Sequence, residues 1–157
     1  MSILRRLKEY LDNNNIRYVN IPHSPAFTAQ EIAASTHIPG KELAKTVIVK
    51  TEDGYAMIVL PASRKINFNL LRKALAKKKL TLANEKEFEN IFPDCELGAM
   101  PPFGNLYNLP VYVASTLSED KEIAFNAGTH TDVIKMSYSD FEKLAKPDVL
   151  TFSEPIN

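Results

Sequence analysis

Two β-rich runs joined at Asp53-Gly54 limit the possible folds of this chain more than any other feature. Thr46 to Thr51 and Tyr55 to Leu60 flank the pair. An Asp-Gly step between two such runs is a strong hairpin signal. Val47-Ile48-Val49 and Met57-Ile58-Val59-Leu60 are apolar without alternation, which predicts strands covered on both faces. At 157 residues the chain can bury one substantial core, and residues 1–157 are expected to form one domain.

The rest of the chain alternates short elements with turn chemistry. Ser2 can cap a first helix with Leu4, Leu7 and Leu11 on one stripe, ended by Asn13-Asn14-Asn15. Arg17 to Ile21 reads as a strand closed by Pro22. Thr28 and Glu31 have capping-box spacing, so a helix is expected from there to about Thr36, stopped by Pro39-Gly40. Asn67 caps a helix that turns Phe68, Leu71 and Leu75 inward, followed by a strand over Leu80 to Ala83 and a small acidic helix to about Ile91. Pro93 to Pro110 holds four prolines and two glycines and reads as an ordered loop. Val111 to Ser115, Glu122 to Asn126 and Val133 to Ser137 read as strands, and a second capping box at Ser139 and Glu142 opens a helix ending before Pro147. Short strands interrupted by helices of unequal length do not fit a regular parallel βαβ series. The expected class is α/β of the α+β type: a mixed, mostly antiparallel, partly closed sheet with helices around it.

Apolar content of 45% and charged content of 24% are those of a globular protein. No apolar run approaches the ~18 residues of a membrane span, and the first ten residues lack the pattern of a secretion signal. The expected location is the cytoplasm, which suits the lone Cys95. Formal net charge is zero, which argues against coating nucleic acid non-specifically. Between Arg64 and Lys79, however, there are seven basic residues and no acid. Such a face suits a limited contact with phosphates, with Arg72, Lys73, Lys77 and Lys78 as the expected phosphate-contacting residues. The run alone also fits a solvated helix face.

Three places could carry chemistry. Lys45 opens the first hairpin strand and by parity shares a face with Val47 and Val49, so its stem is expected on the core side. An ammonium there is either a snorkelling strand-end lysine or a fixed charge in a cleft. Gly98-Ala99-Met100-Pro101-Pro102-Phe103-Gly104 combines restricted and permissive backbone, so it is either a tight connection or a loop presenting N–H groups to an oxygen. Asn126-Ala127-Gly128-Thr129-His130 leaves a strand and ends on a ring that can hydrogen-bond or move a proton. His23, His37 and His130 lack paired ligand spacing, so neither a metal site nor a cofactor is expected. A Gly-x-Ser-x-Gly elbow and a dinucleotide fingerprint are both missing, and Ser35 to Lys41 fails as a phosphate loop because Glu42 follows the lysine. The acids beside Cys95 disfavour its thiolate.

Four pieces in order, His23-Ser24-Pro25, Leu43-Ala44-Lys45-Thr46-Val47, Gly98 to Gly104 and Phe125 to His130, resemble the YbaK/EbsC family. That family comprises aminoacyl-tRNA deacylases related to the editing domain of bacterial prolyl-tRNA synthetase. The resemblance runs from about Ile21 to Leu144 and implies a metal-free hydrolysis of the ester between an amino acid and the terminal ribose of tRNA. It implies catalytic roles for Lys45, Gly98, Gly128 and His130, with Thr28, Thr46, Pro102, Phe103, Gly104 and Asn126 contacting substrate. Members acting on alanyl-tRNA tend to carry Asn where this chain has Thr46. An aminoacyl ester is already activated, so the protein need only place water and stabilise an oxyanion, each donor being worth about 3 kcal/mol. The expectation is a free-standing, trans-editing deacylase acting on the acceptor end of mischarged tRNA, with a synthetase as a further partner. Beside it stand a non-catalytic tRNA acceptor-end binding module and a synthetase-associated interaction protein.

Overall fold

In the computed structural model, which describes residues 4–26 and 28–156, the first helix is α1 (Arg5–Asn13). Leu4, Leu7 and Leu11 are buried along one stripe of it, as their spacing dictates. Ser2, expected as its cap, lies outside the described residues. Strand β1 (Tyr18–Pro22) leads to α2 (Ala29–Thr36). The capping box forms there: Thr28 Oγ1 accepts the Glu31 N–H and Glu31 Oε1 accepts the Thr28 N–H, both at 3.0 Å. His37, left-handed at φ 59°, ends the helix just ahead of Pro39.

Strands β2 (Leu43–Thr51) and β3 (Gly54–Pro61) form the hairpin, paired from Ala44–Pro61 to Thr51–Gly54 across a Glu52-Asp53 turn. The missing alternation has a direct cause. Met57 and Val59 join one apolar cluster with Ile48 and Phe125, whereas Ala56, Ile58 and Leu60 join another with Val49, Leu71 and Phe152. Both faces of β3 are therefore core. A third cluster sets Ile32 of α2 against Leu43, Ala124 and Val133.

Next come β4 (Arg64–Ile66), α3 (Phe68–Leu75), β5 (Leu80–Leu82) and α4 (Glu85–Phe88). Asn67 caps α3 as expected, its Oδ1 accepting the Leu70 N–H. After the proline-glycine segment follow β6 (Val111–Ala114), α5 (Ser115–Ser118), β7 (Glu122–Asn126) and β8 (Asp132–Ser137). The chain closes with α6 (Tyr138–Ala145), β9 (Asp148–Leu150) and β10 (Ser153–Pro155). The main sheet runs β1-β8-β7-β2-β3-β6-β9, with β5 paired to the far end of β2. The β2–β7, β3–β6 and β6–β9 ladders are parallel and the others antiparallel, so the sheet is mixed and mostly antiparallel, with helices around it. β4 and β10 make a separate two-stranded ribbon. No helix among the described residues is long and apolar enough to cross a membrane.

Three local expectations need correction. Ser137, not Ser139, caps α6, its Oγ accepting the Asp140 N–H at 3.1 Å. Starting the helix at Tyr138 buries that ring with Phe141 and Leu144, which a later start would forgo. Pro93 to Pro110 is not wholly irregular, because Gly104–Tyr107 winds into a 3-10 turn that buries Tyr107. Ser115 belongs to α5 and not to the preceding strand.

Candidate active site

Parallel pairing of β2 with β7 sets Leu43 beside Ala124 and Ala44 beside Phe125, a register that carries Lys45 toward Asn126. These two residues, with Gly98 and with Ala29, Gln30 and Ile32 of α2, line a cavity of about 200 Å³. Lys45 is half-buried, and among the described residues no ion pair or hydrogen bond compensates its ammonium. Burial holds its pKa below the ordinary lysine value. Asn126 Oδ1 is buried and meets no donor among the described residues.

The glycine loop and the segment after β7 are zipped together. The Glu96 N–H donates to the Gly128 carbonyl at 2.9 Å, and the Gly128 N–H donates to the Ala99 carbonyl at 3.0 Å. The His130 N–H donates to Glu96 Oε1 at 2.6 Å. His130 Nε2 lies 2.7 Å from the Leu97 carbonyl, and since a carbonyl only accepts, Nε2 carries the hydrogen. His130 thereby braces the Leu97-Gly98 backbone, and its Nε2 has no lone pair left to take a proton. Gly98 stands at φ 85°, and His130 Cε1 would lie 3.4 Å from any Cβ there. Among the described residues the Gly98 N–H meets only the Met100 thioether, a weak acceptor, at 3.3 Å, while the Ala99 N–H is taken by the Glu96 carbonyl. Gly98 is therefore a loop donor that an oxyanion can recruit, and it lines both cavities.

A larger lobe of about 610 Å³ lies on the other side of Thr46, Val47 and Gly98, which line both cavities. Its wall is apolar at Leu82, Phe88, Leu97 and Met100 and polar at Asn84, Glu85 and His130. The fold thus brings Lys45, Thr46, Gly98, Asn126 and His130 to one two-lobed cleft. Thr28 is exposed, its hydroxyl spent on capping α2, and Ala29 next to it lines the small lobe. Gly128 serves the zipper, and at φ 94° it packs so closely on α1 that a Cβ would stand 2.7 Å from Leu4 Cβ. Pro102, Phe103 and Gly104 are buried and line neither lobe. Phe103 sits among Tyr10, Phe125 and Phe141, with centroids at 6.1, 5.6 and 5.3 Å.

The basic residues lie around the β5 end of β2. Arg72 donates to Asn69 Oδ1 and to the Leu80 carbonyl, Lys77 pairs with Asp53, and Lys73 and Lys78 are exposed. Arg72 and Lys78 line a groove with Lys50 and Thr81. Sequence reasoning missed Glu96, hidden in an acidic run, and Asp132. The Asp132 carboxylate is buried and accepts the Thr129 hydroxyl at 2.8 Å, which pins the turn carrying His130. Burial pushes the Cys95 thiol up to about 11, against Tyr107 and Asp94, so it stays protonated. Among the described residues no three His, Cys, Asp or Glu side chains converge to hold a metal ion.

Residues 23–144 match the family of the aminoacyl-tRNA editing domain. The prolyl-tRNA editing protein ProX of Acetoanaerobium sticklandii is 24% identical over 148 residues, covering 90% of each chain. The multifunctional Ser/Thr-tRNA deacylase ProXp-y of Escherichia coli is 25% identical over 114 residues, covering 69% of this chain and 68% of its own. A proline–tRNA ligase of Thermosipho melanesiensis is 33% identical over 85 residues, which are 52% of this chain and 14% of the ligase. Among solved structures, hypothetical protein APE2540 shares the fold with a TM-score of 0.86 at 21% identity, covering 96% of this chain and all of its own.

Proposed function

This chain belongs to the aminoacyl-tRNA editing domain family and is an aminoacyl-tRNA deacylase, and we propose that it hydrolyses mischarged tRNA in the two-lobed cleft around Gly98. The observation that carries this assignment of the site is Lys45, a half-buried ammonium without a counter-charge among the described residues, which shares the small lobe with the recruitable Gly98 N–H. The terminal adenosine takes the larger, apolar-walled lobe and the amino acid the smaller one. The ester carbonyl then lies at Gly98, where its oxygen gains charge as water adds. Lys45 and the Gly98 N–H stabilise that charge, and the oxyanion displaces only a weak N–H to sulfur contact. With His130 Nε2 committed to Leu97, His130 acts as a brace, and a ribose hydroxyl of the substrate orients the water. Incubation with a panel of mischarged tRNAs, following release of each amino acid, tests the activity; release of none would overturn it.

The groove at Arg72 and Lys78 is lined by Leu80 and Thr81 of β5, and the next residue, Leu82, lines the larger lobe, a proximity that supports a path for the acceptor stem. Neutralising Arg72, Lys73, Lys77 and Lys78 together is expected to weaken tRNA binding broadly across tRNA sequences. The plot of log affinity against log salt should become shallower by roughly 0.7–0.9 for each phosphate no longer neutralised. An unchanged slope would return these residues to a merely solvated face. The likeness to a stretch of proline–tRNA ligase supports a synthetase as the partner that supplies the mischarged product, and a translation substrate supports a cytoplasmic location.

A further inference from the structure

We infer that Glu96 is a positioning residue for the reaction: through His130 it holds the Leu97–Gly98 peptide in the orientation that leaves the Gly98 N–H for the oxyanion. The inference rests on the deacylase reading above and adds a residue to its machinery. Its starting point is a single planar unit. The Leu97 carbonyl and the Gly98 N–H belong to the same trans peptide, so they point in opposite directions and turn together. His130 Nε2 holds that carbonyl at 2.7 Å, which fixes the direction of the N–H. The restraint matters at this position, because Gly98 at φ 85° has no Cβ to oppose rotation of the plane. Among the described residues the N–H itself meets only the Met100 sulfur at 3.3 Å, too weak an acceptor to hold it.

Glu96 in turn fixes His130. Its Oε1 accepts the His130 N–H at 2.6 Å, while its own N–H and carbonyl tie to the Gly128 carbonyl and the Ala99 N–H at 2.9 and 3.0 Å. The two backbone bonds do not depend on the side chain; the bond to His130 does. A charged acceptor makes that bond short and directional, and it sets the backbone from which the ring reaches Leu97. Glu96 is exposed and lines neither lobe, so its carboxylate fills no core volume and has no place against the substrate. Asp132 holds the same turn through the Thr129 hydroxyl at 2.8 Å. Loss of the Glu96 side chain therefore loosens His130 without releasing it, and the effect is moderate.

The test measures kcat and KM on a mischarged tRNA that the wild-type chain hydrolyses, together with thermal melting. Glu96→Ala is expected to lower kcat roughly tenfold, less than the ~100-fold that a 1 Å misplacement can cost, with KM and melting temperature little changed. Glu96→Gln keeps an acceptor oxygen at the same reach and should retain most of the rate. Glu96→Asp keeps the charge but shortens the arm, and should behave like the alanine variant. In a His130→Ala background, Glu96→Ala should cost nothing further, because the brace it serves is gone. Unchanged kcat in Glu96→Ala would overturn the inference, as would an aspartate variant as fast as the wild type. A glutamine variant as slow as alanine would overturn it too, since the carboxylate would then act as a base or a charge. So would losses that multiply in the double variant, because Glu96 would then act apart from His130. The glutamine–aspartate contrast decides even if the alanine variant does not fold. A wild-type chain that releases no amino acid from any mischarged tRNA would instead strike the deacylase reading beneath it, and the inference with it.

Discussion

Replacing Lys45 with methionine is expected to lower kcat/KM for deacylation roughly 10²–10³-fold, the loss typical of one preorganised donor to an oxyanion. The melting temperature should not fall. Methionine keeps the apolar stem, and the charge it removes is one that burial disfavours. The pH behaviour follows with opposite signs for stability and activity. In the folded chain Lys45 holds its proton less tightly than the ordinary value of 10.5, so between the lowered pKa and 10.5 the unfolded chain binds more protons. Stability therefore rises with pH across that window, and Lys45→Met removes the rise. Activity needs the ammonium, so it falls as pH climbs through the lowered pKa. Lys45→Arg, whose guanidinium stays charged, should move that limb out of range. Full activity in the methionine variant would refute the assignment, and loss of its cooperative melt would make Lys45 structural.

Phe103→Ala tests the opposite kind of residue. Phe103 is fully buried among three other aromatic rings, so its truncation is expected to cost about 3–5 kcal/mol in denaturant unfolding. KM on a mischarged tRNA, measured where the variant is still folded, should change little, because Phe103 lines neither lobe. A large rise in KM with stability intact would return Phe103 to the pocket wall that family resemblance implies.

The contrast between Lys45 and Phe103 shows what the residues disclose unaided. The hairpin was legible because Asp53-Gly54 and two unbroken apolar runs act locally, and the caps at Thr28 and Asn67 because their hydrogen bonds span three residues. The α6 start was not, since Ser137 and Ser139 both fit the pattern and only the burial of Tyr138 separates them. β4 and β10 are three residues each and exist through pairing with one another across the chain, which no local period reveals. In the site, the motif-bearing segments could be named, but composition could not say which side chains of the proline-glycine stretch turn inward. Nor could it show that His130 spends Nε2 on Leu97, a hydrogen bond between residues 33 positions apart.

Strand β2 sends Ala44 and Ile48 into one apolar cluster, Val49 into a second and Leu43 into a third. A strand shared by three cores cannot come away by fraying, because every opening that frees it wets all three at once. Its amide hydrogens should then exchange with solvent only when the whole chain unfolds, so their protection reports the global free energy. Lys45 rides on that strand. A destabilising change in any of the three clusters would thus reach the reaction as a smaller fraction of competent molecules, each turning over at an undiminished rate.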